Sequence, residues 1–210
     1  MAWSEVVSAL EALTSEQHNH KTLVIDCLNG LERLLHEEVC HRDFGDDWGE
    51  RGFGGYQRGI EVSLADWRGF LSRLDTLRET RRMTIVCLCH LRIKTFKSPL
   101  TADYDKYQVD MNDKTYALTA RWGDAILFGN FETFVDSKDP KKKGKAVGQN
   151  RMLYCEHHAG YDAKNRFGLV SEIEMGNTPD EAWTNFSSAV LTARKANTNN
   201  IKQEEVANNG

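Results

Sequence analysis

The chain has 210 residues, 40% of them hydrophobic and 28% charged, which is the balance of an ordinary globular protein with enough length for one full-sized core. A formal net charge of -4 excludes a global attraction to nucleic acid or to an anionic membrane, so any such binding must come from local patches. No apolar run reaches the roughly 18 residues of a membrane-spanning helix, and Glu5 and Glu11, with no basic residues ahead of them, are not expected of a signal peptide.

Trp3, Val6, Val7, Leu10 and Leu13 recur at helical spacing and predict an amphipathic helix over residues 3–14. A polar connector leads to Thr22-Leu23-Val24-Ile25-Asp26, a short apolar run that ends abruptly in a carboxylate. Its composition suits a central strand buried on both faces. Leu28, Leu31, Leu34, Leu35 and Val39 then form a second helical stripe, and the order helix, strand, helix points to an α/β sheet.

Residues 42–62 read as a loop, with glycines at 45, 49, 52, 54, 55 and 59 among Phe44, Trp48, Phe53 and Tyr56. Two readings stay open there. One is a mobile loop that touches nucleic acid or a neighbouring subunit, with aromatics stacking on bases. The other is a structured loop whose aromatics anchor in the core, favoured because the acidic residues in the same stretch repel phosphate. Ser63-Leu64-Ala65-Asp66 resembles a capping box and opens a helix to about Thr80, with Leu64, Trp67, Phe70, Leu71, Leu74 and Leu77 on its apolar side. Residues 83–89 (MTIVCLC) predict a second buried strand. It ends at His90 as the first ends at Asp26.

Residues 91–105 read as a loop, 107–111 as a short strand, 114–122 as a helix and 124–128 as a strand. Residues 131–135 and 152–154 bracket a basic segment and predict a hairpin. Lys138, Lys141, Lys142, Lys143, Lys145 and Arg151 stand there against Asp139, a patch that either contacts a phosphate backbone or is plain solvated charge. Thr178 or Asp180 starts a last helix, and from Ala196 the chain is polar and Asn-rich. The expected organisation is one domain over 1–195 and a disordered tail over 196–210. Five cysteines with no paired framework point to a reducing, cytoplasmic setting.

The two strand endings form a pattern. In a parallel sheet with helical crossovers, Asp26 and His90 emerge at the same rim, where open α/β sheets bind ligands. A carboxylate there can hold a Mg²⁺ that bridges nucleotide phosphates, and a neighbouring polar residue can orient a water or sense a γ-phosphate. The plainer reading is a strand followed by a polar turn, and a histidine satisfied at a strand end. The pairs His18 and His20, His36 and His41, and His157 and His158 never assemble into a metal-ligand spacing.

From about Trp3 to about Leu169 the chain resembles the RecA-like ATPases of phages and bacteria, usually called phage nucleotide-binding or ATP-binding proteins, some of which act in single-strand annealing and homologous recombination. The matching pieces are TLVIDCLNGLE (22–32), FGGYQRG (53–59), VCLCHLRIKTF (86–96), YDKYQVDM (104–111) with ARWGDAILF (120–128), and YDAKNRFGL (161–169). Their order and spacing carry the resemblance. It implies a RecA-like P-loop NTPase core: a mostly parallel sheet flanked by helices, with a C-terminal β-hairpin. It also implies that the chain binds ATP and Mg²⁺, with Asp26 as the Walker B carboxylate holding Mg²⁺ through water and His90 as the sensor at the γ-phosphate. Lys164 and Arg166 would be the paired cations that reach a neighbouring subunit's ATP site, which requires a homo-oligomer, ring or filament. Their plainer reading is two surface charges on alternate residues of a strand. Single-stranded DNA is the implied partner, with Lys94, Lys97, Lys141, Lys142, Lys143 and Lys145 as candidate contacts and no role for a membrane.

The sequence departs from the family's pattern in one respect. The phosphate-cradling string GxxxxGK[ST] is absent; the nearest stretch, Lys143-Gly144-Lys145-Ala146, lacks the Ser or Thr and has Asp139 where the first Gly belongs. The expectation is therefore the larger C-terminal part of such a domain, truncated at its N-terminus. ATPase activity is implied by resemblance and left open by this motif. The alternative is a non-catalytic remnant without Walker A that binds DNA or a partner.

Overall fold

The computed structural model describes residues 1–132, 134–136, 145–147 and 150–208. Two compact units divide the chain, Met1–Ile93 with Gln108–Trp122, and Lys94–Tyr107 with Gly123–Gly210. Among the described residues no helix is long and apolar enough to cross a membrane.

The first unit is built on three helices, α1 (Trp3–Ser15), α2 (Leu28–Phe44) and α3 (Arg58–Arg81), with strands β1 (Thr22–Ile25) and β2 (Thr84–Cys87). The helical stripes read from the sequence become its core. Trp3 and Leu10 meet Leu28, Leu31, Leu35 and Val39 of α2 and Trp67, Phe70, Leu74 and Leu77 of α3. Each such side chain contributes about 1.5–3 kcal/mol on burial. Trp3 stacks on Trp67 with ring centres 6.4 Å apart. The open carbonyls at the end of α1 are satisfied by the Arg81 guanidinium, which donates to Thr14 O at 2.8 Å and to Glu16 O at 2.7 Å. Gly45 ends α2 in the left-handed conformation (φ 57°), its N–H donating to Cys40 O.

Residues 42–62 are helical at both ends rather than loop throughout. Helix α2 continues to Phe44, and α3 begins at Arg58 rather than at Ser63. Ser63 lies inside α3, buried, and its hydroxyl donates back to Gly59 O at 2.7 Å. A Ser that back-bonds within a helix and one that caps it look alike in sequence. What remains of the loop is tied down by Phe53, which is buried against Phe44, Trp48 and the His36 ring.

Beyond β2 the chain forms β3 (Leu91–Phe96), β4 (Tyr104–Val109) and α4 (Asp113–Trp122). β3 occupies a stretch expected as loop. All six of its residues are exposed, so no alternation of buried and exposed side chains was there to read. α4 joins the first unit through Trp67 Nε1, which donates to Thr119 Oγ1 at 3.0 Å, and Trp122 Nε1, which donates to Asp75 Oδ1 at 2.8 Å.

The second unit holds β5 (Ala125–Ile126), β6 (Phe128–Phe131), β7 (Phe134–Asp136), β8 (Lys145–Val147), β9 (Arg151–Tyr154), β10 (Lys164–Asn165), β11 (Glu172–Glu174) and α5 (Pro179–Asn208). β6 pairs antiparallel with β9, and β7 with β8, which is the hairpin around the basic segment. Cys155, Leu169, Ile173 and Ala193 are buried together, with Leu153 and Phe186 packed against them. α5 opens with a capping box: Thr178 Oγ1 accepts from Glu181 N, and the Glu181 carboxylate accepts from Asn177 N at 2.7 Å and Thr178 N at 3.2 Å. These backbone donors hold the Glu181 carboxyl below the usual carboxylate range. The helix runs to Asn208, past residue 196 where the sequence predicts a tail.

The large, mostly parallel sheet is corrected by the structure. The described residues form four two-stranded sheets and one three-stranded sheet, with β1 and β2 as the parallel pair. These two strands alternate exposed and half-buried residues, so one face only is covered and Val24 and Val86 lie on the surface. The second unit's strands β5 to β11 are two to four residues long, and among the described residues β5 with β10, β6 with β9, β7 with β8 and β9 with β11 pair antiparallel.

Candidate functional site

The parallel register pairs Thr22 with Thr84 and Ile25 with Cys87, so β1 and β2 leave the sheet together at their C-terminal ends. The alignment continues beyond the strands. Leu88 N donates to Ile25 O at 2.9 Å, and Leu28 N, at the start of α2, donates to Leu88 O at 2.9 Å. The main chains that carry Asp26 and His90 are therefore adjacent, and both side chains are exposed. Among the described residues the Asp26 carboxylate has no hydrogen bond or ion pair, and the Asp26–Cys27 peptide is cis.

His90 is fixed through its main chain. Its N–H donates to Asn29 Oδ1 at 2.7 Å, and its carbonyl accepts from Asp110 N at 2.9 Å and from Asn29 Nδ2 at 3.3 Å. Asn29 Nδ2 also donates to Asp110 O at 2.6 Å. One helical turn on, both oxygens of the buried Glu32 carboxylate accept from Asn112 N, at 3.2 and 3.0 Å. The first two turns of α2 thus hold residues 88–90 and 110–112 in place. Asp110 is balanced by Arg92, whose Nη1 lies 3.2 Å from its Oδ1.

The covered side of the rim is apolar. Burial pushes the Cys87 thiol up to about 12, with Cys89 as a minor contributor, and the Cys89 thiol up to about 11, with Cys27 as a minor contributor, so both stay protonated at neutral pH. Behind Glu32, His36 is held below its usual range by burial, against the opposing pull of Glu32, and among the described residues its buried Nε2 has no hydrogen-bond partner.

The remaining predicted residues fall in the second unit. Lys164 sits on β10, paired with Ile126 of β5, and its Nζ donates to Gly123 O at 2.6 Å. Arg166 follows, exposed, with Nη1 at 3.4 Å from Asp124 Oδ1. Both cations are anchored on residues 123–124. Lys94 is exposed on β3 and Lys97 is exposed just beyond it. Lys141, Lys142 and Lys143 lie outside the described residues, and Lys145 is described in its backbone alone, at the start of β8.

Asn29 and Asp110 were missed from the sequence. Asn29 follows Asp26 by three residues, a spacing that reads as helix-start chemistry, and Asp110 follows a strand with no apolar pattern. The arrangement can present one free carboxylate, a histidine of fixed main chain and a set of neutral thiols at a strand rim. A single carboxylate suits Mg²⁺, which keeps several waters and takes other ligands from phosphates. Among the described residues no group of three or more His, Cys, Asp or Glu side chains is placed to hold a metal ion by itself.

A family model described as AAA domain matches residues 1–167. No curated protein matches the chain, and no solved structure does.

Proposed function

The chain belongs to the AAA domain family, and from that premise we propose that it is a nucleotide-binding, ATPase-like protein that binds ATP and Mg²⁺ at the rim of β1 and β2. The observation that carries this reading is Asp26, an exposed carboxylate without a partner among the described residues at the C-terminal end of a parallel strand, beside the fixed main chain of His90. Asp26 would hold a Mg²⁺ through water, the ion would offset the charge of the nucleotide phosphates, and His90 would face the γ-phosphate.

The test is binding of a fluorescent ATP analogue to the full chain, with and without Mg²⁺, in the wild type and in Asp26→Ala. The expected result is an affinity in the micromolar range, about -8 kcal/mol, that depends on Mg²⁺ and is lost in the variant. Equal Mg²⁺-dependent affinity in the two proteins would sink the assignment.

The finer reading is a RecA-like protein of phage type that acts on single-stranded DNA in recombination or annealing, as a homo-oligomer in the cytoplasm. Lys164 and Arg166 would serve a neighbouring subunit's ATP, and Lys94, Lys97 and the 141–145 lysines would contact DNA. The exposure of Lys94, Lys97 and Arg166 supports it, and five free thiols support a reducing compartment. The absence of GxxxxGK[ST] from the 210 residues favours a second reading, a non-catalytic module that binds DNA or a partner ATPase. Salt-sensitive DNA binding that is indifferent to ATP is its marker.

A further inference from the structure

The geometry points to Asn29 as the positioning residue of this site: we propose that its side chain holds the His90 main chain at the rim and thereby sets where the His90 imidazole stands. The proposal rests on the reading of His90 as the group that faces the γ-phosphate.

The amide of Asn29 is used at both ends. Oδ1 accepts from His90 N at 2.7 Å, while Nδ2 donates to Asp110 O at 2.6 Å and to His90 O at 3.3 Å. Its orientation follows from these partners, because a flipped amide would set Oδ1 against two carbonyl oxygens and Nδ2 against an N–H. The His90 carbonyl is held a second time by Asp110 N at 2.9 Å. Both peptide groups flanking the His90 α-carbon are thus pinned, and one side chain reaches both.

The place in the chain gives the contact its meaning. Asn29 stands in the first turn of α2, three residues after Asp26, and Leu28 N in the same turn bonds Leu88 O. The turn that follows the candidate Mg²⁺ carboxylate therefore also carries the clamp on His90. A shift of that turn moves both groups together. A hydrophobic or smaller residue at 29 would leave the His90 N–H and the Asp110 carbonyl without their partner, while the α2 core residues Leu28, Leu31 and Leu35 keep their packing.

The experiment measures amide hydrogen exchange by NMR on the full chain and, in parallel, the affinities for Mg²⁺·ATP and Mg²⁺·ADP. In Asn29→Ala the His90 amide should exchange about tenfold faster, the worth of one such hydrogen bond. The Leu28 and Asn112 amides, bonded to Leu88 O and Glu32, should stay at their wild-type rates. Asn29→Asp keeps the acceptor but sets its second oxygen against the Asp110 and His90 carbonyls, so the His90 amide should exchange more slowly than in Asn29→Ala and faster than in the wild type. An unchanged His90 rate in Asn29→Ala overturns the proposal, and so does equal acceleration of all three amides, which would mean general loosening of α2. The preference for ATP over ADP should fall in Asn29→Ala to the level of His90→Ala. A drop in His90→Ala alone also overturns it. If His90→Ala leaves the preference unchanged, the γ-phosphate reading of His90 fails, and the exchange rates alone decide the role of Asn29.

Discussion

Replacing Gly59 by alanine should destabilise the first unit, although it removes a glycine from a helix. An added Cβ at residue 59 would lie 2.2 Å from Cγ and Cδ2 of Phe53, which is more than about 1 Å inside carbon–carbon contact distance. The Phe53 ring cannot swing away, since it is buried with His36 at 5.3 Å, Phe44 at 5.8 Å and Trp48 at 4.9 Å. Helix propensity favours the substitution by at most about 1 kcal/mol, and overpacking opposes it by about 1–3 kcal/mol. With a boxed-in ring the upper part of that range applies, for a net loss of about 1–2 kcal/mol. At a slope of about 1–3 kcal/mol per molar urea, the unfolding midpoint followed by tryptophan fluorescence should fall by about 0.3–2 M. A second variant, Gly59→Ala with Phe53→Leu, should recover part of the loss relative to Phe53→Leu alone. A midpoint that is unchanged or raised in Gly59→Ala would refute the reasoning and reopen the loop as a mobile element.

Two further expectations concern titratable groups in the same unit. His36 is held below its unfolded value by burial, so the unfolded chain binds the proton more readily; stability is full above about pH 6.5 and declines as pH falls below it towards the folded value. Thermal midpoints from pH 7.5 to 5 should show this fall, and it should flatten in His36→Met; an equal slope in both proteins would remove His36 as its source. Cys87 and Cys89, pushed up to about 12 and 11, should resist a thiol reagent at pH 8 in the native chain and react once it is unfolded. Their burial in neutral form stabilises the fold below the ordinary thiol range and is lost as pH rises through it. Labelling of either residue within minutes, located by peptide mass, would contradict the environment described for them.

The sequence was most legible where periodicity carried it. Trp3, Leu10, Leu31, Leu35, Trp67 and Leu74 stand at helical spacing and are core in the structure, because a buried helical face forces that spacing. The apolar runs before Asp26 and His90 gave both strands and their shared direction. Three things were hidden. β3 carries no burial signal because all its residues are exposed. The start of α3 was masked by glycines at 54, 55 and 59, whose small size serves close approach of the main chain rather than a break; a Cβ at Gly55 would lie 2.0 Å from Glu50 O. The extent of the sheet was overread, since TLVI and TIVC have the composition of doubly covered strands while Val24 and Val86 lie on the surface. At the site, side-chain to main-chain bonds such as Asn29 to Asp110 leave no periodic trace, as they join residues far apart in sequence.

That distance bears on how the molecule is made. The start of α2 finds its partners 60 to 81 residues further along the chain, at Leu88, His90, Asp110 and Asn112. Synthesis at about 5–20 residues per second leaves this turn waiting for several seconds after it emerges. Its bonds also close long loops, which cost entropy before they reward it and so form late in folding. A ribosome stalled ahead of Asp110 would hold out a chain with α1, α2 and α3 already able to associate, and with the rim around Asp26 still open.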